Sequence, residues 1–234
     1  MWSGPRNLST AMMYAFAARG DCAVWDEPFY AAYLAKTGLD HPMGAEIMAA
    51  GECDPSLVAA ACAGDAPAGK NLFYQKQMTH HMLPDFNLDF MDLCENVFLI
   101  RHPARVIASY AAKRENPTLQ DLGFVQQAAL FDRMTARKGR LPIVMDSADI
   151  RGNPRESLLT LCAALGISFS EGMLHWPAGP KEFDGAWASH WYGAVHRSIG
   201  FDGAEGPVPH VPDTHRALAE AALPIYERLA REKL

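Results

Sequence analysis

The sequence predicts an α/β fold: a parallel sheet with helices on both faces, three layers in all. Three observations carry that expectation. Strand-length apolar runs alternate with helix-length segments, as right-handed strand–helix–strand crossovers require. Asn96-Val97-Phe98-Leu99-Ile100 is a nearly unbroken apolar run, the signature of a strand buried on both faces. Residues 153–166 hold a full set of helix signals, with Asn153 to cap, Pro154 at the first position and Gly166 past the end.

The remaining elements follow in order. Ser3 to Thr10 is turn-rich, and Ala11 to Arg19 then reads as a helix closed by Gly20. Cys22 to Trp25 is a short strand stopped by Asp26-Glu27-Pro28, and Phe29 to Lys36 is helical. Residues 41–69 are rich in Ala, Gly and Pro, with one helix expected at Pro55 to Ala63. Asn71 to Gln75 reads as a strand, followed by a polar stretch from Lys76 to Asp92 around Thr79-His80-His81. After the strand at 96–100 come Arg101-His102-Pro103 and a helix from Ala104 to Lys113. Leu119 to Lys138 is a long amphipathic helix, and Leu141 to Met145 a strand ending at Asp146-Ser147. Glu171 to Pro212 is loop-like and aromatic-rich, and Thr214 to Lys233 closes the chain as a helix.

Composition narrows the function. The 234 residues show no linker, so one domain spanning 1–234 is expected. A hydrophobic content of 49% supports a substantial core and argues against disorder. A net charge of −6 speaks against a general nucleic-acid binder, yet leaves room for a local cationic pocket. Five cysteines, odd in number and without a CxxC pair, point to a reduced cytoplasmic protein rather than a disulfide or zinc scaffold. No apolar run is long enough to span a membrane, and Met1 to Arg6 lack the apolar core of a signal peptide. The histidines and cysteines show no ligand spacing, so no metal is expected.

Two motifs look chemical and are set aside. Gly64 to Asn71 nearly matches a Walker A loop, but Asn71 replaces the magnesium-binding hydroxyl, and a helix precedes it where a strand is needed. His80-His81-Met82-Leu83-Pro84-Asp85 fits an HHxxxD acyltransferase pattern, with Phe86 where Gly is usual.

Ligands of parallel sheets sit at strand carboxyl ends. Two such places stand out. In Gly4-Pro5-Arg6-Asn7-Leu8-Ser9-Thr10, a forced turn brings an Arg fork, two hydroxyls and free helix N–H groups together, a cradle for phosphate or sulfate. Arg101 ends the apolar strand and Ser109 follows eight residues later, about two helical turns on, forming a second anion site. Two anion sites suit a ligand with two separated phosphate-like groups.

These segments resemble the sulfotransferases that use 3′-phosphoadenosine 5′-phosphosulfate, which share the fold of the P-loop nucleotide-binding proteins. Ser3 to Thr10 resembles the family's 5′-phosphosulfate loop, with Arg6 at the position of its catalytic Lys or Arg and Ser9-Thr10 at its paired hydroxyls. Arg101 and Ser109 resemble its 3′-phosphate motif, and Val144 to Ile167 its strand-to-helix segment. Trp187 to Phe201 is similar to the region that closes over the adenosine, with Arg197, Ser198 and Gly200 as candidates. The resemblance implies in-line transfer of a sulfuryl group to a hydroxyl or amine of a small-molecule acceptor, without metal. A hydroxyl acceptor needs a general base. Glu27 matches the carboxylate base of several bacterial and Golgi branches and is preferred. His80 is next, with His81 beside it, because Lys76…Thr79-His80 echoes the cytosolic branch's Lys-Thr-His. Such a fold normally has a full strand before its loop, and here only Met1-Trp2 precede it, so that strand is either very short or begins upstream. A P-loop small-molecule kinase and a non-catalytic nucleotide-binding module are the competing readings. Acceptor identity and oligomeric state are not legible.

Overall fold

The computed structural model describes residues 1–111 and 117–234. Along the chain run β1 (Trp2–Ser3), α1 (Ser9–Ala17), β2 (Cys22–Asp26), α2 (Tyr30–Thr37), α3 (Gly44–Ala50), α4 (Pro55–Cys62) and β3 (Leu72–Met78). Then follow β4 (Val97–Ile100), α5 (Pro103–Ala111), α6 (Phe124–Lys138), β5 (Ile143–Asp146), α7 (Ser147–Gly152), α8 (Pro154–Ala164), α9 (Ala188–Trp191) and α10 (Arg216–Ala230). Strands and helices alternate and β1–β4, β2–β3 and β4–β5 pair in parallel, so the fold is α/β as predicted. The chain divides into two compact units, one of Met1–Ser9, Asn96–Phe169 and Gly203–Leu234, the other of Thr10–Glu95 and Ser170–Asp202.

In the first unit β4 lies between β1 and β5, with Phe98 opposite Trp2 on one side and Val144 on the other. All four β4 residues are buried, which is why the run is apolar throughout. Gln127 of α6 is fully buried and amphipathic in use: its Nε2 donates to the carbonyls of Leu99 at 2.9 Å and Trp2 at 3.3 Å. Around it α5, α6 and α10 bury Val106, Ile107, Tyr110, Phe124 and Ala222 in one cluster. In the second unit β2 and β3 pair from Cys22–Leu72 to Asp26–Lys76. There α2 and α3 bury Tyr30, Leu34 and Ile47 with Trp187 and Tyr192.

Several boundaries differ from expectation for identifiable reasons. α1 starts at Ser9 rather than Ala11, so Ser9 and Thr10 lie in its first turn. β3 runs past Gln75 to Met78, which puts Lys76 inside a strand and not in the loop after it. Its polar residues stay in register because each finds a partner: Gln75 Nε2 donates to the Cys62 carbonyl at 2.7 Å, and Lys76 meets two carboxylates. Within 41–69 there are two α-helices where one is expected, because α3 is short and buries a single apolar residue, Ile47. α6 begins at Phe124, after a left-handed Gly123. The predicted loop at 171–212 contains α9 and short 3-10 turns. Ala112 and Lys113, expected to end the helix from Ala104, lie outside the described residues. The near-Walker segment connects α4 to β3, and Lys70 Nζ donates to the Gly20 carbonyl at 2.7 Å. Among the described residues no helix is long and apolar enough to cross a membrane.

Candidate active site

The first unit holds a cradle built on the loop after β1. Gly4 is packed so closely that a Cβ there would lie 2.4 Å from the Leu122 carbonyl oxygen. The loop then turns through two left-handed residues, Arg6 at φ 64° and Leu8 at φ 73°. Neither is glycine, so each conformation costs about 1–3 kcal/mol and persists only where neighbours enforce it. Asn7, buried between them, supplies that enforcement. Its Nδ2 donates to the Leu99 carbonyl at 3.2 Å, and the Ser147 hydroxyl bridges the Asn7 and Ile100 carbonyls at 2.8 Å each. Alternating loop conformations of this kind turn backbone N–H groups toward a shared concavity that suits an anion.

Arg6 and Ser109, 103 positions apart, meet with Arg6 Nε donating to Ser109 Oγ at 2.8 Å. Arg101 Nη1 donates to the Arg6 carbonyl at 2.6 Å. Three of the residues picked from sequence are thereby brought together. Burial, and then the nearby Arg101 charge, hold the Arg6 guanidinium below its ordinary pKa. Two cations crowded in this way lower the energy of any anion beside them. Sequence reasoning missed the rest of this cluster. Arg101 Nη2 reaches Glu205, whose other oxygen lies 2.8 Å from Arg105 Nε, and Arg151 Nη1 stands 3.4 Å from the same carboxylate. Arg105 was legible only as the next arginine after Arg101, four positions on.

The second unit holds a buried ionic network on the ends of β2 and β3. Lys76 is 1% exposed, and its Nζ donates to Asp26 Oδ1 at 2.9 Å, Glu27 Oε1 at 2.6 Å and the Tyr192 hydroxyl at 2.5 Å. Tyr192 in turn donates to Asp26 Oδ2 at 2.7 Å, and Trp187 Nε1 donates to Tyr192 at 3.0 Å. Burial alone would discharge Lys76, but Asp26 and Glu27 outweigh it and raise its pKa, so it stays protonated. Glu27 is also left-handed, at φ 42°, with its N–H donating to the Lys76 carbonyl at 2.9 Å. Burial, supported by the Asp26 charge, raises its carboxyl above the ordinary 4.5 against the pull of Lys76. A carboxylate made more basic and fixed by a lysine is suited to accept a proton. The sequence alone gives neither Lys76 nor Tyr192 a role in holding Glu27. The signal for Lys76 was a charged residue within reach of an apolar strand, at the register of Asp26.

Of the paired histidines, His81 is the one near Glu27, its Nε2 4.0 Å from Oε2. Its ring is sandwiched between Tyr30 and Tyr33, with centroids at 4.4 and 4.9 Å. Burial, then His80, His41 and Lys76, push its pKa well below 6.5, so it is neutral and no ion pair forms. The half-buried His80 packs edge-on against Tyr33 and His81. Phe29, Tyr30, Trp187 and Tyr192 are all buried. Of the tail candidates, Arg197 is exposed, Ser198 Oγ accepts from Trp176 Nε1 at 3.1 Å, and Gly200 bridges His175. Among the described residues no group of three His, Cys, Asp or Glu is arranged to hold a metal ion.

Comparison with known proteins bears on both clusters. The sulfotransferase domain family matches residues 1–232. Two Arabidopsis thaliana proteins, branched-chain-amino-acid aminotransferase-like proteins 2 and 1, are each 34% identical over 228 residues, 97% of this chain. The chain spans 40% of the length of those relatives. Among solved structures, the sulfotransferase domain of the Synechococcus PCC 7002 olefin synthase is 18% identical, with a TM-score of 0.48 over 94% of this chain and 92% of that one. With a family match running through Arg6, Glu27, Lys76, Arg101 and Ser109 alike, this chain belongs to the sulfotransferase domain family.

Proposed function

We propose that this chain transfers a sulfuryl group in line from 3′-phosphoadenosine 5′-phosphosulfate to a hydroxyl or amine of a small-molecule acceptor. The observation that carries the reading is the interlock of Arg6, Ser109 and Arg101 at two strand ends. Its chemistry fits a phosphate-bearing ligand: the loop is strained into a cradle and two guanidiniums are crowded at it. The donor, when bound, supplies the activated sulfuryl group. Gly4, Pro5, Asn7, Leu8, Ser9 and Thr10 position the loop's N–H groups and hydroxyls toward the transferring end, and Arg6 stabilises charge that grows there. Arg101 and Ser109 hold the 3′-phosphate. Arg197, Ser198 and Gly200 contact the nucleotide. Glu27 takes the acceptor proton at its carboxylate, held for that task by Lys76, and His80 stands as the second choice. The whole of residues 1–234 acts as one domain, since the family match runs through both units. A reducing, cytoplasmic setting agrees with five cysteines of which none is in a disulfide.

Thermal unfolding with 3′,5′-ADP and no metal tests this. At about 100 times Kd the ligand adds about 2.7 kcal/mol of stability, a shift of roughly 5–10 °C for a chain of this size. Arg101→Ala removes most of the shift. No shift in the wild type overturns the reading, and stabilisation by ATP with magnesium instead points to a kinase.

A further inference from the structure

Glu205 has a place that the family reading does not explain. Its side chain is 3% exposed, although Gly203, Ala204 and Gly206 around it are exposed. One carboxylate therefore reaches inward from a surface segment with glycine on both sides, where the backbone is freest to swing. It is held by three guanidinium groups, those of Arg101, Arg105 and Arg151. Two of these also grip the segment's backbone: Arg105 donates to the Gly206 carbonyl, and Arg151 Nε to the Gly203 carbonyl at 3.1 Å. The remaining arm of Arg101 donates to the Arg6 carbonyl, tying the cluster to the anion loop.

A carboxylate offers three forks two oxygens and one charge. A phosphate monoester offers three oxygens and close to two charges, and matches planar guanidiniums in the same bidentate way. We propose that residues 203–206 are a latch, that Glu205 stands in for a phosphate group, and that a phosphate group entering among Arg101, Arg105 and Arg151 displaces it. That the phosphate is the donor's 3′ group rests on the sulfuryl-transfer reading. The displacement itself does not.

Calorimetric binding of 3′,5′-ADP and of inorganic phosphate, at one ionic strength, tests the latch in wild type and Glu205→Gln. A segment closed nine-tenths of the time masks about tenfold of affinity, so the variant binds both ligands about tenfold tighter. Unchanged or weaker phosphate binding by a folded Glu205→Gln means that Glu205 organises the arginines instead, and overturns the proposal. Hydrogen exchange of the wild type decides independently of any variant. Phosphate speeds exchange at 203–206 if the latch opens, and slower or unchanged exchange overturns it. Tighter phosphate binding by Glu205→Gln with no binding of 3′,5′-ADP by either protein keeps the latch and rejects the nucleotide.

Discussion

The arginine cluster of the first unit and the carboxylate network of the second both sit on strand ends, and they balance charge in opposite ways. Around Lys76 the balance is internal: one ammonium meets Asp26, Glu27 and the Tyr192 hydroxyl, and all four groups are buried. Around Glu205 one carboxylate is shared among three guanidiniums whose side chains are 15–21% exposed, and Arg6 stands close to Arg101. A closed network fixes a side chain in one geometry, as a proton acceptor requires. In the arginine cluster one carboxylate carries one negative charge against three positive ones, so the charge there is not balanced internally.

The sharpest way to break this contrast is Lys76→Met. It leaves Asp26 and Glu27 buried without their cation, so stability falls by about 3–5 kcal/mol, measured by urea unfolding. A loss under about 1 kcal/mol would mean that water or rearrangement already compensates the pair. Arg6→Ala addresses the other cluster and gives the opposite signature. Turnover drops by about 10²–10³, the worth of a donor aimed at growing charge, while the melting point barely moves. A large loss of stability in that variant would make Arg6 structural.

Gly4→Ala tests whether the loop's shape matters apart from its charge. The new Cβ meets the Leu122 carbonyl and must shift backbone, at about 1–3 kcal/mol, with weaker binding of 3′,5′-ADP. The smallest effect belongs to His81, which is neutral in the folded protein. Below its ordinary 6.5 the unfolded chain takes up a proton that the folded chain refuses, so its contribution is present above 6.5 and is lost as pH falls. Wild type therefore loses about 1 kcal/mol per pH unit more than His81→Phe between pH 6.5 and 5.5, measured by urea unfolding at each pH. Equal slopes would place a charged imidazole in the core.

Much of the cradle was legible because it is local. Gly4-Pro5-Arg6 and the Arg101-to-Ser109 spacing each occupy a few consecutive residues, and the strand before Arg101 is marked by its own apolarity. The register of β3 was not legible, because Gln75, Lys76 and Gln77 look like loop until Cys62, Asp26 and Glu27 are known to face them. Tyr192 lies 116 positions from Lys76 and Glu205 lies 104 from Arg101, both within the stretch 171–212 whose local pattern is that of an aromatic-rich loop.

By itself the sequence determined the alternation of strands with helices, the arginines that follow two strands and the carboxylate after β2, because periodicity, turn chemistry and side-chain type act over a few residues. Tertiary structure alone decided which charges are paired. Pairing depends on burial and on contacts across a hundred positions, and it is what gives Glu27 a fixed cation and Arg101 a carboxylate shared with two other arginines.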